Sequence, residues 1–272
     1  MAEAYERHRG SSHTDPEARD LVAMANPPGE GCVLDVGTGT GIALEFAQEV
    51  VGEEGVAVGI DLSLEMLRQA RRLRPSSRIA AADAIDLPFR GETFDAIVSN
   101  FVIFHFPDYR TALFDMIRVL KPGGRIALSA WAPGEDEFTR TWNEVTDEFV
   151  EKELIDDAYR QVMPWREHFA DPAKFEESLR DAGLHPVRVE RREYKIEMTR
   201  EEYVESRATS VSGRFTRDML GPEGWDRFLQ RVGAVFEERF PELINDFRDV
   251  NLAVGTKAMD GLQQQDVQGS RR

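Results

Sequence analysis

The sequence predicts an α/β protein built around a mainly parallel β-sheet. Between Cys32 and Trp131, short apolar runs rich in β-branched residues alternate with segments whose apolar residues recur at helical spacing. This alternation is typical of repeated strand–helix units, whose strands pair in parallel. The 272 residues, 41% of them hydrophobic and 31% charged, are enough for a sizeable core and ordinary for a globular chain.

The first two strand–helix units follow one another closely. Residues 33–36 form a buried strand that ends at a cluster of glycines, and a helical pattern then runs up to Gly52. Residues 56–60 are predicted to form the second strand, after which Ser63 is a suitable N-cap for a helix. A third strand of small residues is expected at 78–82.

Two further strands complete the alternating region. A long fourth strand is predicted from Phe94 to Phe104, followed by a helix from about Asp108 to Leu120. A Lys-Pro-Gly-Gly turn then leads to a fifth strand from Arg125 to Ala130.

Beyond Trp131 the pattern becomes largely helical. An acidic helix carries one apolar stripe, made of Phe138, Trp142, Val145 and Phe149. It is expected to cover the edge of the sheet, and the aromatic residues of this region either line an apolar pocket or form plain core. The remaining predicted elements are a helix at 171–182, a strand at 187–190, a helical stretch from 200 to about 240 and a last strand near 250–254.

Composition excludes several classes of protein. The formal charge of −16 disfavours a general nucleic-acid binder. The single cysteine, Cys32, permits neither an intrachain disulfide nor a cysteine-based zinc cage. No apolar run is long enough to span a membrane, and the first twenty residues lack the apolar run of a secretory signal. We therefore expect a soluble, cytoplasmic protein without a membrane partner.

A glycine turn at residues 35–41, Asp-Val-Gly-Thr-Gly-Thr-Gly, joins the first strand to the first helix. Such a turn lets a ligand approach the backbone N–H groups at a helix N-terminus. The dinucleotide fingerprint requires its third glycine at position 42, where this chain has Ile42. The spacing therefore disfavours a dehydrogenase.

Acidic residues follow the second and third strands. Asp61 can accept hydrogen bonds from both hydroxyls of a ribose, although an acid in this position also suits the dipole of the following helix. Asp83 is a candidate acceptor for an exocyclic amine, and Leu62 and Met66 are candidate apolar walls for an adenine ring. An adenosine-type cofactor fits this pattern.

Five motifs in order resemble those of class I S-adenosylmethionine-dependent methyltransferases. They are DVGTGTG at 35–41, GIDLS at 59–63, AADAIDLPF at 81–89, FDAIVSNFVIFHF at 94–106 and RVLKPGGRI at 118–126. The similarity, which covers roughly residues 32–131, is to the small-molecule branch that includes ubiquinone and menaquinone biosynthesis enzymes. It implies a Rossmann-like sheet of seven strands with helices on both faces and an antiparallel last strand. Helical insertions near 134–170 and 199–245 would form a cover and shape the acceptor site.

The resemblance also implies a set of residues that bind S-adenosyl-L-methionine. The glycine turn would hold the methionine end of the cofactor, the residues after the second and third strands the ribose and adenine, and the end of the fourth strand the sulfonium. Two residues near the N-terminus resemble lid residues of that branch. The full set is Asp35, Gly37, Thr38, Gly39, Gly41, Asp61, Leu62, Met66, Asp83, Ala84, Ser99, Asn100, Tyr5 and Arg9.

His105 is the candidate general base. It follows the predicted fourth strand, at the edge of the sheet where ligands bind in open α/β folds. An ordinary histidine pKa of ~6.5 suits proton abstraction at neutral pH. The alternative is a histidine that merely packs between Phe104 and Phe106. The aspartate set of magnesium-dependent catechol enzymes is not recognisable, so no metal is expected.

The expected domain organisation is a lid segment at 1–31, a methyltransferase domain at 32–257 and a polar tail at 258–272. The expected function is methyl transfer to a small apolar or aromatic acceptor. A non-catalytic module that binds the cofactor, or an enzyme that methylates a macromolecule, remains an alternative. The acceptor, the atom that is methylated and the oligomeric state are not predicted.

Overall fold

The structure, a computed structural model, describes residues 16–259. Its strands are β1 (Cys32–Val36), β2 (Val56–Asp61), β3 (Arg78–Ala81), β4 (Phe94–Ser99), β5 (Leu120–Trp131), β6 (Leu184–Thr199) and β7 (Leu243–Lys257). Its helices are α1 (Pro16–Ala25), α2 (Ile42–Val51), α3 (Leu64–Leu73), α4 (Tyr109–Val119), α5 (Glu137–Asp147), α6 (Lys152–Val162), α7 (Arg166–Ala170), α8 (Pro172–Asp181), α9 (Arg200–Ala208) and α10 (Val211–Arg239).

The seven strands form one sheet in the order β3-β2-β1-β4-β5-β7-β6. Strands β1 to β5 pair in parallel, and β7 lies antiparallel between β5 and β6. The carboxyl ends of β1 and β4 are adjacent at the middle of the sheet, where the strand order reverses. This edge is where open α/β sheets bind ligands. The predicted fold class, including the antiparallel last strand, is confirmed.

Polar caps fix where two of the central helices begin. The Ser63 hydroxyl accepts the backbone N–H of Met66 at the start of α3, as predicted. At the start of α4, the Asp108 carboxylate accepts the N–H groups of Arg110 and Thr111. Both caps stand at the carboxyl edge of the sheet, so they also set where the loops after β2 and β4 lie.

Helix α1 belongs to the main core. Ala18, Leu21 and Val22 are buried against the sheet, and α1 also forms ion pairs with the antiparallel strands β6 and β7. There the buried Glu17 accepts a hydrogen bond from Arg248 at 2.8 Å. Within the segment expected to form a lid, residues 16–25 are thus core, and residues 1–15 lie outside the described part of the chain.

The fourth strand is shorter than predicted. It ends at Ser99 rather than Phe104, because Phe101 adopts a left-handed backbone conformation with φ of 57°. A 3-10 turn, Ile103–His105, follows it. The apolar run that suggested a continuing strand instead folds over the carboxyl edge and fills it with buried Ile103 and Phe104.

Strands β6 and β7 are much longer than the predicted runs at 187–190 and 250–254. From the pair Arg192–Val250 onward, where β5 ends at Trp131, they continue as a two-stranded ribbon, residues 192–199 paired with 243–250, which we call the ribbon extension. Helices α5, α9 and α10 pack on it around a second core. Its members include Phe138, Trp142, Met198, Tyr203, Phe228, Phe236 and Ile244. The stripe on α5 is therefore core packing.

Candidate functional site

The glycine turn after β1 has left-handed backbone at Gly37, Gly39 and Gly41, with φ of 70°, 57° and 93°. A Cβ atom at Gly37 would lie 2.6 Å from the side chain of Val102, so close packing by the protein itself requires this glycine. A Cβ atom at Gly39 would meet nothing within 4 Å. The turn therefore has an open face at Gly39, as close approach of a ligand requires.

Several N–H groups of this turn already have partners in the protein. Thr38 donates to the Ile60 carbonyl, Gly39 to Asp61 Oδ2 and Gly41 to the Thr38 carbonyl, each at 2.8 Å. This differs from the expectation that the turn presents free amides to a ligand. These bonds fix the shape of the turn, so the ligand would meet a rigid backbone surface.

Asp35 is buried directly below the turn. Its Oδ2 accepts the Thr38 hydroxyl at 2.6 Å, whereas its Oδ1 has no hydrogen-bond partner among the described residues. Burial raises the pKa of Asp35 to about 7, assisted by the negative charge of Asp61 and opposed by the Thr38 hydrogen bond and the backbone N–H of Leu44 at the start of α2. An unpartnered buried carboxylate oxygen is costly, which suits a site completed by a cationic donor.

The half-buried Asp61 lies at the end of β2 and forms hydrogen bonds to the glycine turn and to the start of α3. Its Oδ2 accepts the Gly39 N–H and its Oδ1 accepts the Ser63 N–H, both at 2.8 Å. Each carboxylate oxygen has a second lone pair, so both retain capacity for a ligand hydroxyl.

Exposed apolar side chains flank this acid. Leu62 is 72% exposed, and Ile85, in the loop after β3, is 43% exposed. Asp83 is exposed and accepts the N–H of Ile85 through Oδ1, while Met66 is half-buried and Ala84 buried. Sequence reasoning missed Ile85. The sequence feature that could have indicated Ile85 is its position as an apolar residue two places after Asp83, the candidate acceptor for the exocyclic amine.

The loop after β4 is held from the neighbouring strand β5. Ser99 is buried and its hydroxyl donates to the Val36 carbonyl at 2.9 Å. The Asn100 side-chain oxygen accepts the hydroxyl of Ser129 at 2.7 Å, and the Phe101 N–H donates to the same hydroxyl oxygen at 2.8 Å. The Phe101 ring stacks on Trp131 with ring centroids 4.2 Å apart. Sequence reasoning also missed Ser129.

His105 ends the 3-10 turn and contacts helix α6. Its Nδ1 lies 2.8 Å from the carbonyl oxygen of Val162, the last residue of α6. Because a carbonyl can only accept, Nδ1 carries the proton and Nε2 keeps its lone pair. Protein atoms around the ring, together with the charge of Arg214, lower the pKa of His105, while the Val162 carbonyl raises it. His105 is thus neutral at pH 7, although its side chain retains solvent contact.

The structure brings together the predicted residues at the ends of β1, β2, β3 and β4. Tyr5 and Arg9 lie outside the described residues. Among residues 16–259, no cluster of His, Cys, Asp or Glu has the arrangement of a metal site. In the same part of the chain, every helix is too short or too polar to cross a bilayer.

Sequence comparisons identify a known kind of domain. A family model described as a methyltransferase domain matches residues 34–128. The demethylmenaquinone methyltransferase of Roseiflexus castenholzii is 41% identical over 109 residues, which are 39% of this chain and 45% of that relative. The chain thus spans about half the length of that relative. The malonyl-[acyl-carrier protein] O-methyltransferase of Salmonella typhimurium is 30% identical over 184 residues, 65% of this chain and 71% of that relative.

A comparison of structures agrees on the fold. The phosphoethanolamine N-methyltransferase 2 of Haemonchus contortus, solved with phosphomonomethylethanolamine and S-adenosylhomocysteine, superposes with a TM-score of 0.60. The superposition covers 95% of this chain and 57% of the other, at 18% sequence identity. At this identity the likeness is one of fold.

Proposed function

The chain belongs to the class I S-adenosylmethionine-dependent methyltransferases, and we propose that it transfers a methyl group from S-adenosylmethionine to a small apolar or aromatic molecule. The observation that carries this proposal is the juxtaposition of three features at one edge of the sheet. They are the open backbone at Gly39, the unpartnered Oδ1 of buried Asp35 and the carboxylate of Asp61.

In this proposal the glycine turn holds the amino acid part of the cofactor. Asp35 supplies the unused acceptor for its ammonium group, and the absence of a side chain at Gly39 lets the ligand lie against the backbone. Thr38 and Gly41 keep the turn in shape through their internal hydrogen bonds. S-adenosylmethionine supplies an activated methyl group on its sulfonium.

The nucleoside part of the cofactor is proposed to bind across the ends of β2 and β3. Asp61 accepts the ribose hydroxyls with its remaining lone pairs. The exposed apolar side chains of Leu62 and Ile85 enclose the adenine, and Met66 and Ala84 complete this apolar surface. Asp83 accepts the exocyclic amine through the oxygen that does not bind Ile85.

The methyl acceptor is proposed to lie beyond the ends of β4 and β5. Ser99 and Asn100 stand beside the reacting end of the cofactor, and His105 removes a proton where the acceptor must lose one. The two relatives are named as methyltransferases of demethylmenaquinone and of malonyl-[acyl-carrier protein]. The stacked rings of Phe101 and Trp131 favour a flat acceptor.

We place the protein in the cytoplasm, as its single cysteine suggests.

Calorimetric titration with S-adenosylmethionine and, separately, with NADH tests the proposal. We expect micromolar binding of the former only, because the third glycine of the dinucleotide motif is replaced by Ile42. Phenols, quinols and carboxylic acids are then screened for methylation. Binding without turnover would support a regulatory module. Turnover only on nucleic acid or protein would support a macromolecular acceptor, which the charge of −16 disfavours for nucleic acid.

Affinity for S-adenosylhomocysteine is expected to be about tenfold weaker at pH 6 than at pH 8, because a group with a pKa near 7 is about 90% protonated at the lower pH. The ammonium group of the ligand favours ionised Asp35. The Asp35→Asn variant should bind weakly with little pH dependence, and calorimetry over this range measures both. An unchanged pH profile in the variant would contradict the assignment.

The same group affects the stability of the unliganded protein. The pKa of Asp35 is higher in the folded than in the unfolded protein, so protonation of this group favours the folded state. This stabilisation is fully present below about pH 4 and is lost as pH rises through about 7.

A further inference from the structure

Ser129 on β5 joins two residues of the loop after β4 through a single hydroxyl. The side chain is completely buried. Its oxygen receives the Phe101 N–H at 2.8 Å, and the hydroxyl hydrogen is donated to Asn100 Oδ1 at 2.7 Å. Phe101 lies 28 residues and Asn100 29 residues before Ser129 in the sequence, so the two hydrogen bonds connect the loop after β4 to the neighbouring strand β5.

This arrangement determines which polar atoms of Asn100 are available. The Ser129 hydroxyl takes one lone pair of Oδ1 and thereby fixes which end of the amide faces Ser129, so the two Nδ2 hydrogens are left to donate. Ser129 also orients the amide, because its hydroxyl already accepts from Phe101 and needs an acceptor for its own hydrogen. Asn100 is therefore fixed as a hydrogen-bond donor at the carboxyl end of β4.

The other partner, Phe101, is held in a conformation that it would not adopt freely. Its φ of 57° is unfavourable for a residue with a bulky side chain. The bond to Ser129 and the stacking on Trp131 at 4.2 Å hold it there. An aromatic pair then lies next to an oriented amide, at the edge where ligands bind.

We propose that Ser129 is a positioning residue for the methyl acceptor. Through its hydroxyl it holds Asn100 so that Nδ2 donates to an oxygen atom of the acceptor. It also holds the buried Phe101 ring against the partly exposed Trp131, so that Trp131 is positioned to pack on a flat acceptor. The inference rests on the proposed function, because it assumes that the acceptor lies beyond β4 and β5.

The test measures binding of 2-naphthol and of naphthalene to the protein saturated with S-adenosylhomocysteine, by quenching of tryptophan fluorescence. The wild-type protein should prefer 2-naphthol by about fivefold or more, in line with one hydrogen bond. Ser129→Ala should abolish this preference while its affinity for S-adenosylhomocysteine stays within about twofold. Ser129→Thr, which retains the hydroxyl, should restore it.

The matched control is Ser178→Ala, which removes another buried hydroxyl, donated to the Lys174 carbonyl in α8. It should lower stability without altering the preference. If Ser129→Ala does not fold, Asn100→Asp replaces the donor by an acceptor and should also abolish the preference. An unchanged preference in these variants, or no preference in the wild-type protein, would overturn the inference. A wild-type protein that does not bind S-adenosylhomocysteine would instead overturn the proposed function.

Discussion

Replacing His105 by alanine is expected to lower kcat for an acceptor that must lose a proton by about 100- to 10,000-fold, the usual contribution of a general base. The Val162 carbonyl fixes the proton on Nδ1, which leaves Nε2 as the basic atom. Desolvation by the surrounding protein atoms lowers the pKa of His105, so the ring is uncharged at neutral pH. Steady-state kinetics on the methylated acceptor measures the loss, and activity should fall as pH decreases below the histidine pKa.

Two further variants separate catalysis from packing. His105→Asn can still donate to the Val162 carbonyl but has no basic nitrogen, so it should be as inactive as the alanine variant. His168→Asn replaces a histidine that bonds to Ser178 and should retain activity. Full activity of His105→Asn would assign His105 to packing between α6 and the 3-10 turn.

Asp61→Ala should weaken binding of S-adenosylmethionine by about 30-fold or more, equivalent to about 2 kcal/mol, because charge-assisted hydrogen bonds are lost. The structure adds a second reason. The carboxylate also holds the N–H groups of Gly39 and Ser63, so the glycine turn loses its brace. Calorimetric titration of the purified variant gives the affinity.

Asp86→Ala is the matched control for charge, since it removes an exposed acid from the neighbouring loop, after β3. Its affinity for the cofactor should stay within about twofold of wild type. Asp61→Asn keeps one oxygen acceptor and should fall between the two. Wild-type affinity in Asp61→Ala would remove the ribose assignment.

The parallel strands were predictable from the sequence because each one is an apolar run that ends at a turn signal. The fourth strand was overextended, since the apolar residues after Ser99 serve a folded loop and give no sign of the left-handed Phe101. Such a conformation depends on a hydrogen bond to Ser129, which is distant in sequence.

The long β6 and β7 were not predictable from alternation alone. Along β6 the more buried residues change from odd positions, such as Val187 and Val189, to even positions, such as Tyr194 and Met198. The change occurs at Glu190, two residues before the strand leaves the main sheet, and beyond it the ribbon extension packs on α5, α9 and α10. A single period therefore does not describe the strand.

For the candidate site, the motifs predicted which residues stand at the edge of the sheet. They did not predict that the amides of Thr38, Gly39 and Gly41 have internal partners, or that Asp35 keeps an unpartnered oxygen. Both facts depend on distances between strands, which sequence spacing does not give.

The ribbon extension carries a hydrophobic core of its own, apart from the core of the main sheet. The second core, around Trp142 and Phe228, is built from helices that contact the extension rather than the glycine turn. We therefore expect the helices on the extension to open by local unfolding while β1, β2 and β4 keep their hydrogen bonds. Amides in α9 and α10 should then exchange with solvent at a lower free energy than those of the central strands.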